Sequence, residues 1–238
     1  MSVAHDEFYA RMKPYLQGTR DLEQTREALG ASPSGDHDFS FYRVLAERNL
    51  FRILRDLYAP LRTLVLRDDP EGWGPMVREF ALAHPGGGHH PNALGEPFSE
   101  FLAERRERVP EQPVVYEEIA DYCWVRQFVY SAPDTQDDGF EQRLFVRQYT
   151  HRVHDLVATL ERDPKAPLPE PTPVVLLVYR HWRSLETRLF QPSAAGLVAL
   201  ARRQGQPVPE PLRAIPAEHV DVADAQFVEH GVLGPRSN

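Results

Sequence analysis

Cys123 is the only cysteine in 238 residues. A lone thiol rules out an internal disulfide and any zinc or iron–sulfur site built from several cysteines. Long apolar runs are missing too: no stretch approaches the roughly 18 residues of a membrane span. The opening MSVAHDEFYARMKPYL is charged early and has no apolar core of a signal peptide. Together these absences lead us to expect a cytoplasmic protein. Positive charge is also short. With 27 Lys and Arg against 35 Asp and Glu the formal net charge is −8, which argues against a general nucleic-acid binder held by phosphate neutralisation.

Signature motifs of catalysis are absent as well. There is no Walker loop, G-x-S-x-G, H-E-x-x-H or G-x-G-x-x-G. His89 and His90 sit beside three glycines, where adjacent side chains do not converge on one ion, so they read as a solvated loop. His151 and His154 straddle an expected strand–helix junction without an acidic partner and read as structural. Cys123 lies mid-helix in IADYCWVRQ, away from the helix N-terminus or cation that would activate it, and reads as an inert buried thiol. Glu117 and Glu118 are adjacent on a helix and point apart. The expectation is no metal, no cofactor and no catalysis by this chain alone.

What is present is helical periodicity, then a change of period. Residues 4–16 and 22–29 are short amphipathic candidates, followed by the loop GASPSGDHD. In FSFYRVLAERNLFRILRDLYAPLRTLVL, Leu50, Ile53, Leu54, Leu57, Leu61 and Leu64 form one stripe. Pro60 should end or bend that helix near Ala59. Asp69-Pro70 is expected to open the next helix, running to about His84 with Trp73, Met76, Val77, Phe80 and Leu82 inward. Helices over 94–106 (Phe98, Phe101, Leu102 inward) and 114–130 (Val115, Ile119, Tyr122, Phe128 inward) complete a helical bundle. The acidic, turn-rich SAPDTQDDGFEQ reads as a linker, giving a bundle domain over 1–132 and a smaller domain over 133–238.

In the second part, residues 144–150 alternate as a strand does, a helix spans 153–161, and the Pro-rich DPKAPLPEPTP crosses without a ladder. Strands over 174–180 and 184–191 flank a His181-Trp182-Arg183 turn. Ser193 caps a helix over 194–204 closed by Gly205, and a last helix spans 222–230 with Gly231 as its cap. The fold class is therefore α+β, a helical bundle followed by a winged-helix-like module of three strands plus helices. Residues 174–204 carry Arg180, Arg183, Arg188, Arg202 and Arg203 against Glu186 alone. If strand 184–191 is a sheet edge, its free backbone groups can take an extended peptide as one more strand. The candidate peptide site is Arg180, Arg183, Ser184, Leu185, Glu186, Thr187, Arg188 and Leu189, with Phe227 of the last helix as a groove wall. Coverage of that edge by the chain's own Pro-rich segment is the competing reading.

The runs NLFRILRDLYAPLRTLV, WGPMVREFALAHP, LGEPFSEFLAER and EIADYCWVRQ, then RLFVRQYTHRVHDLVATL and VVLLVYRHW…RLFQPSAAGLVALAR, resemble a bacterial family often labelled DNA-binding. These are the MbnC- and HvfC-like partner proteins of multinuclear non-haem iron oxidative enzymes, which modify ribosomally made precursor peptides. The likeness covers most of residues 40–205, with Asn49, Pro60, His84-Pro85 and Trp124 as punctuation. The resemblance implies a subunit that holds no iron, binds an iron-bearing TIM-barrel enzyme as a heterodimer, and recognises the precursor's leader through its C-terminal module. Tyr58, Arg62 and Trp124 are the candidate docking residues for that enzyme. Cys123 stands where the family often has an acidic residue, a departure from the family's pattern. A winged-helix DNA-binding regulator is the alternative, with an independent enzyme as a further competitor.

Overall fold

In the computed structural model, residues 5–16, 18–30, 37–84, 91–131 and 144–234 are described. The fold is α+β: helices with one three-stranded antiparallel sheet in the order β1-β2-β3. The elements are α1 His5–Leu16, α2 Leu22–Leu29, α3 His37–Leu57, α4 Ala59–Asp68, α5 Trp73–Ala83, α6 Pro91–Gly95, α7 Phe98–Arg108, α8 Val115–Ser131, β1 Leu144–Tyr149, α9 Val153–Arg162, β2 Val174–Arg180, β3 Thr187–Phe190, α10 Ala194–Arg203 and α11 Ala217–Glu229. Among the described residues no helix is long and apolar enough to cross a membrane. The chain divides into two compact units, one of Met1–Asp121 with Val157–Ala166, the other of Tyr122–Leu156 with Pro167–Asn238. The sequence reading put the boundary at 132/133, in the acidic segment. The division of the fold falls eleven residues earlier, inside α8, and residues 157–166 return to the first unit.

In the first unit, Pro60 separates α3 from α4 as expected, because its ring cannot continue the preceding helix. Leu54, Leu61 and Leu64 are fully buried. Tyr58, Phe80, Phe98 and Phe101 form an aromatic cluster, with Tyr58 and Phe98 stacked at 4.7 Å and Phe80 edge-on to Phe98 at 4.9 Å. A second cluster joins Met12 and Tyr15 of α1 to Phe39 of α3. Two expectations are corrected here. Leu82 is exposed rather than inward, since the stripe set by Met76, Val77 and Phe80 turns away before it. Asp69-Pro70 does not open α5: Asp69 Oδ1 accepts the Glu71 N–H at 3.0 Å in a turn that closes at Gly72, and the helix starts at Trp73.

The second unit is built around the sheet. The register pairs Leu144 with Tyr179 and Tyr149 with Val174 across β1–β2, and Leu177 with Phe190 and Arg180 with Thr187 across β2–β3. One face carries Leu144, Leu177, Tyr179 and Phe190, which pack with Val198, Ala199 and Leu200 of α10 and with Val220, Ala223 and Phe227 of α11. The other face turns Phe145 onto Trp124 and Phe128 of α8 at 6.1 and 5.5 Å, and Tyr149 edge-on to Tyr122. β2 is therefore covered on both faces, and four consecutive residues, Leu176 to Tyr179, are buried. Residues 166–173 cross without joining the ladder, as the prolines require.

Candidate functional site

The β2–β3 hairpin and its free edge are the best-formed candidate site. Its turn is a bulge that the sequence does not advertise. The Leu185 N–H donates to the His181 carbonyl at 2.9 Å, while the His181 N–H donates to the Glu186 carbonyl at 2.8 Å. Leu185 has φ 60. That pattern is a G1 bulge, in which the first residue takes the left-handed conformation normally given to glycine. The side chain of His181 closes the loop from within, its Nδ1 accepting the N–H groups of Arg183 (3.2 Å) and Ser184 (3.1 Å). From outside, the Trp182 N–H donates to the Gly231 carbonyl at 3.2 Å and the Tyr179 hydroxyl donates to the His230 carbonyl at 2.9 Å. Burial pushes the Tyr179 phenol above its ordinary value, so it stays a neutral donor there.

The bulge fixes which backbone groups face out. With His181 bonded to both bulge residues, the next hydrogen-bonded pairs are Tyr179–Arg188 and Leu177–Phe190, by the two-residue alternation of an antiparallel ladder. The N–H and C=O of Thr187 and Leu189 consequently point away from β2. Among the described residues no strand pairs with that side, since β3 is terminal in the sheet. Leu185 and Leu189 are large apolar side chains left partly exposed on this hairpin, at 43% and 38%. Thr187 Oγ1 is buried with no hydrogen-bond partner among the described residues.

Each candidate arginine is already held. The Arg180 Nε donates to the Leu185 carbonyl at 3.2 Å. The Arg188 guanidinium donates to Glu186 at 2.7 Å, and that contact, helped by the Ser184 hydroxyl, draws the exposed Glu186 carboxyl below its ordinary range. The Arg183 guanidinium lies over the Trp182 ring at 4.5 Å. A guanidinium has five donors, and these contacts orient the three groups. Near the end of α10, Arg203 forms a two-pronged pair with Asp224 of α11 at 2.6 and 2.9 Å, while Arg202 is exposed.

Several expected site residues sit elsewhere. The strand is shorter than the expected 184–191, because Ser184 and Leu185 belong to the turn and bulge. Phe227 is no groove wall. It is 1% exposed in the core beneath the sheet, against Phe190 at 5.6 Å and so close to Gly196 that a Cβ there would meet its ring at 3.1 Å. Tyr58 and Trp124 offer no docking surface either. Tyr58 is fully buried, its hydroxyl donating to the Gly95 carbonyl at 2.7 Å, and Trp124 is buried against Phe128 and Phe145. Arg62 is half-buried and lines an open groove between α3, α4 and α5. Of the histidines, His89 and His90 lie outside the described residues. His151 is buried beside the Thr150 hydroxyl at 3.0 Å. Burial holds His154 below its ordinary value. Cys123 is half-buried rather than fully enclosed. Among the described residues no three His, Cys, Asp or Glu side chains gather as they would around a metal ion.

No protein-family model matches the chain, and no curated protein matches it.

Proposed function

We propose that this chain is a non-catalytic partner subunit of a multinuclear iron oxidative enzyme, presenting the leader of a ribosomally made precursor peptide for modification. On this reading the second unit is a winged-helix-like recognition module and the helices of the first unit form a bundle that docks on the TIM-barrel enzyme. The iron belongs to the enzyme, and the pair works in the cytoplasm.

The observation that carries the reading is the outer edge of β3. Two N–H and two C=O groups, from Thr187 and Leu189, face away from the ladder, and an extended leader can pair with them as a fourth strand. At about 0.5–1.5 kcal/mol net for each backbone hydrogen bond, such an edge contributes only part of the roughly −8 kcal/mol of a micromolar complex. Leu185 and Leu189 supply apolar contact, and Arg180, Arg183 and Arg188 favour a leader with acidic residues. The order of three antiparallel strands followed by α10 and α11 supports the winged-helix comparison, with α9 as an insertion between the first two strands. The DNA-binding alternative draws less support, since Arg203 is spent on Asp224 and the chain is acidic overall.

The test is fluorescence anisotropy with the labelled leader of a candidate precursor peptide. Leu189→Pro removes one outward N–H while leaving the bonds to β2 in place, an edge position where proline is tolerated. We expect the affinity to fall by about tenfold or more with the helical circular dichroism unchanged. Equal affinity would reject the edge as the site.

A further inference from the structure

The longest helix of the first unit has two working faces. Phe39, Leu50, Leu54 and Leu57 lie on its inner side, buried or half-buried. On the opposite side Phe41, the adjacent pair Val44 and Leu45, Arg48, Arg52 and Arg55 recur at helical spacing, all exposed. At 100° per residue they fall within an arc of about 100°, and fourteen residues of rise make the strip about 21 Å long. Its first half is apolar, with Phe41 62%, Val44 45% and Leu45 51% exposed. Its second half is a row of guanidiniums.

That row faces a groove of about 490 Å³ to which Arg62 of α4 and Arg78 of α5 also contribute. Five arginines line it against one carboxylate, Glu47, which Arg78 engages at 3.2 Å. Arg52 donates to Asn49, and Arg55 pairs with its neighbour Asp56 at 2.8 Å. Arg48 and Arg62 have no ion-pair partner among the described residues. Five like charges around one open groove repel one another, and a ligand carrying carboxylates relieves that repulsion.

We infer that the outer face of α3 and this groove form a docking site for an acidic amphipathic segment of a partner protein. The ligand's apolar side chains would lie on Phe41, Val44 and Leu45 and its carboxylates on Arg48, Arg52, Arg55 and Arg62. Val44 lines the groove as well as the apolar half, so the two parts are continuous. Arginine beside exposed aromatic and aliphatic side chains is the composition of protein interfaces. A nucleic-acid backbone would have no use for Val44 and Leu45. A second copy would bring no carboxylates to the row from this strip, since a two-fold axis along α3 sets arginine against arginine and one across it sets the arginines on the apolar half. The inference rests on the partner-subunit reading only for the identity of the protein that carries the segment, which would be the iron enzyme.

Two probes test it on the full chain. One is the co-expressed iron enzyme. The other is a twenty-residue helical peptide with leucines along one face and glutamates flanking them, used beside a twin with glutamine at every glutamate. The variants are Arg48→Glu/Arg52→Glu/Arg55→Glu, the lysine triple at the same positions, and Phe41→Ser/Leu45→Ser, all at exposed positions. We expect the glutamate triple to bind the acidic peptide and the enzyme at least about tenfold more weakly, the lysine triple to retain most affinity, and the glutamine twin to bind poorly. The serine pair should weaken both probes. Unaltered binding by the glutamate triple overturns the inference. So does a loss of binding to duplex DNA alone, or binding that ignores the serine pair, which would mark a plain anion site. If the wild-type chain ignores the enzyme yet takes the acidic peptide in this pattern, the partner-subunit reading fails and the docking site stands; if it ignores the peptide as well, both fall.

Discussion

Leu185 occupies a backbone position at which glycine is at home. A left-handed conformation costs a residue with a Cβ about 1–2 kcal/mol, and such strain persists where surroundings over-determine it. Here the surroundings are the two bulge hydrogen bonds and the Arg180 contact to the Leu185 carbonyl. Leu185→Gly should therefore raise stability by about 1 kcal/mol, after subtracting glycine's greater freedom in the unfolded chain. Thermal denaturation reads this directly, and a lower Tm would show that the leucine side chain stabilises more than its backbone costs. Nothing in SLET announces that bulge, because the usual signal is a glycine. His154 gives a second residue-scale expectation. Its Nδ1 is buried without a partner among the described residues, and burial outweighs the neighbouring Asp155 in holding the imidazole below its ordinary 6.5. The folded state thus refuses a proton that the unfolded chain accepts. The contribution is absent at high pH and becomes a penalty as pH falls through about 6.5. Denaturation midpoints should decline over that window, and His154→Leu should flatten the decline. An unaltered slope in the variant would contradict this. Single residues were also where sequence reading failed most. Tyr58, Trp124 and Phe227 looked available as contacts because periodicity tells which residues share a face, but not that both sides of a face are covered. Tyr58 is satisfied by a carbonyl 37 residues away, a pairing no local pattern carries.

Elements were more legible than their ends. The Pro60 break, the Ser193 cap whose Oγ accepts the Gly196 N–H at 3.1 Å, and the three antiparallel strands follow from local chemistry. α11 begins at Ala217 rather than at the expected 222, because the prolines of the preceding run end at Pro216. Pro216 instead precedes the first turn, and Val220, Ala223 and Phe227 make the buried stripe that extends it. The same helix ends where Gly231 meets the hairpin. With φ 68, and a Cβ there overlapping the His181 ring, only glycine fits. Gly231→Ala should lower stability by about 2 kcal/mol or more and detach the Trp182 and Tyr179 hydrogen bonds, so leader affinity should fall with it. Chemical denaturation and anisotropy measure the two effects. A variant with wild-type stability would show that His181 can move aside, and the turn would then not be braced from α11.

At the scale of the whole chain, composition set limits and little more. A net charge of −8 and a single cysteine narrow the chemistry without naming a partner, and the arginines of α3 were invisible as a group until the helix placed them on one side. The central claim is that β3 is an unfinished sheet edge that a leader peptide completes. Hydrogen exchange of the Thr187 and Leu189 amides, with and without saturating leader, tests it most directly. These two N–H groups point away from β2, so they should exchange quickly in the free chain and slow by about tenfold or more once a peptide carbonyl accepts them. Protection that appears elsewhere while both amides keep exchanging at the free rate would contradict the account.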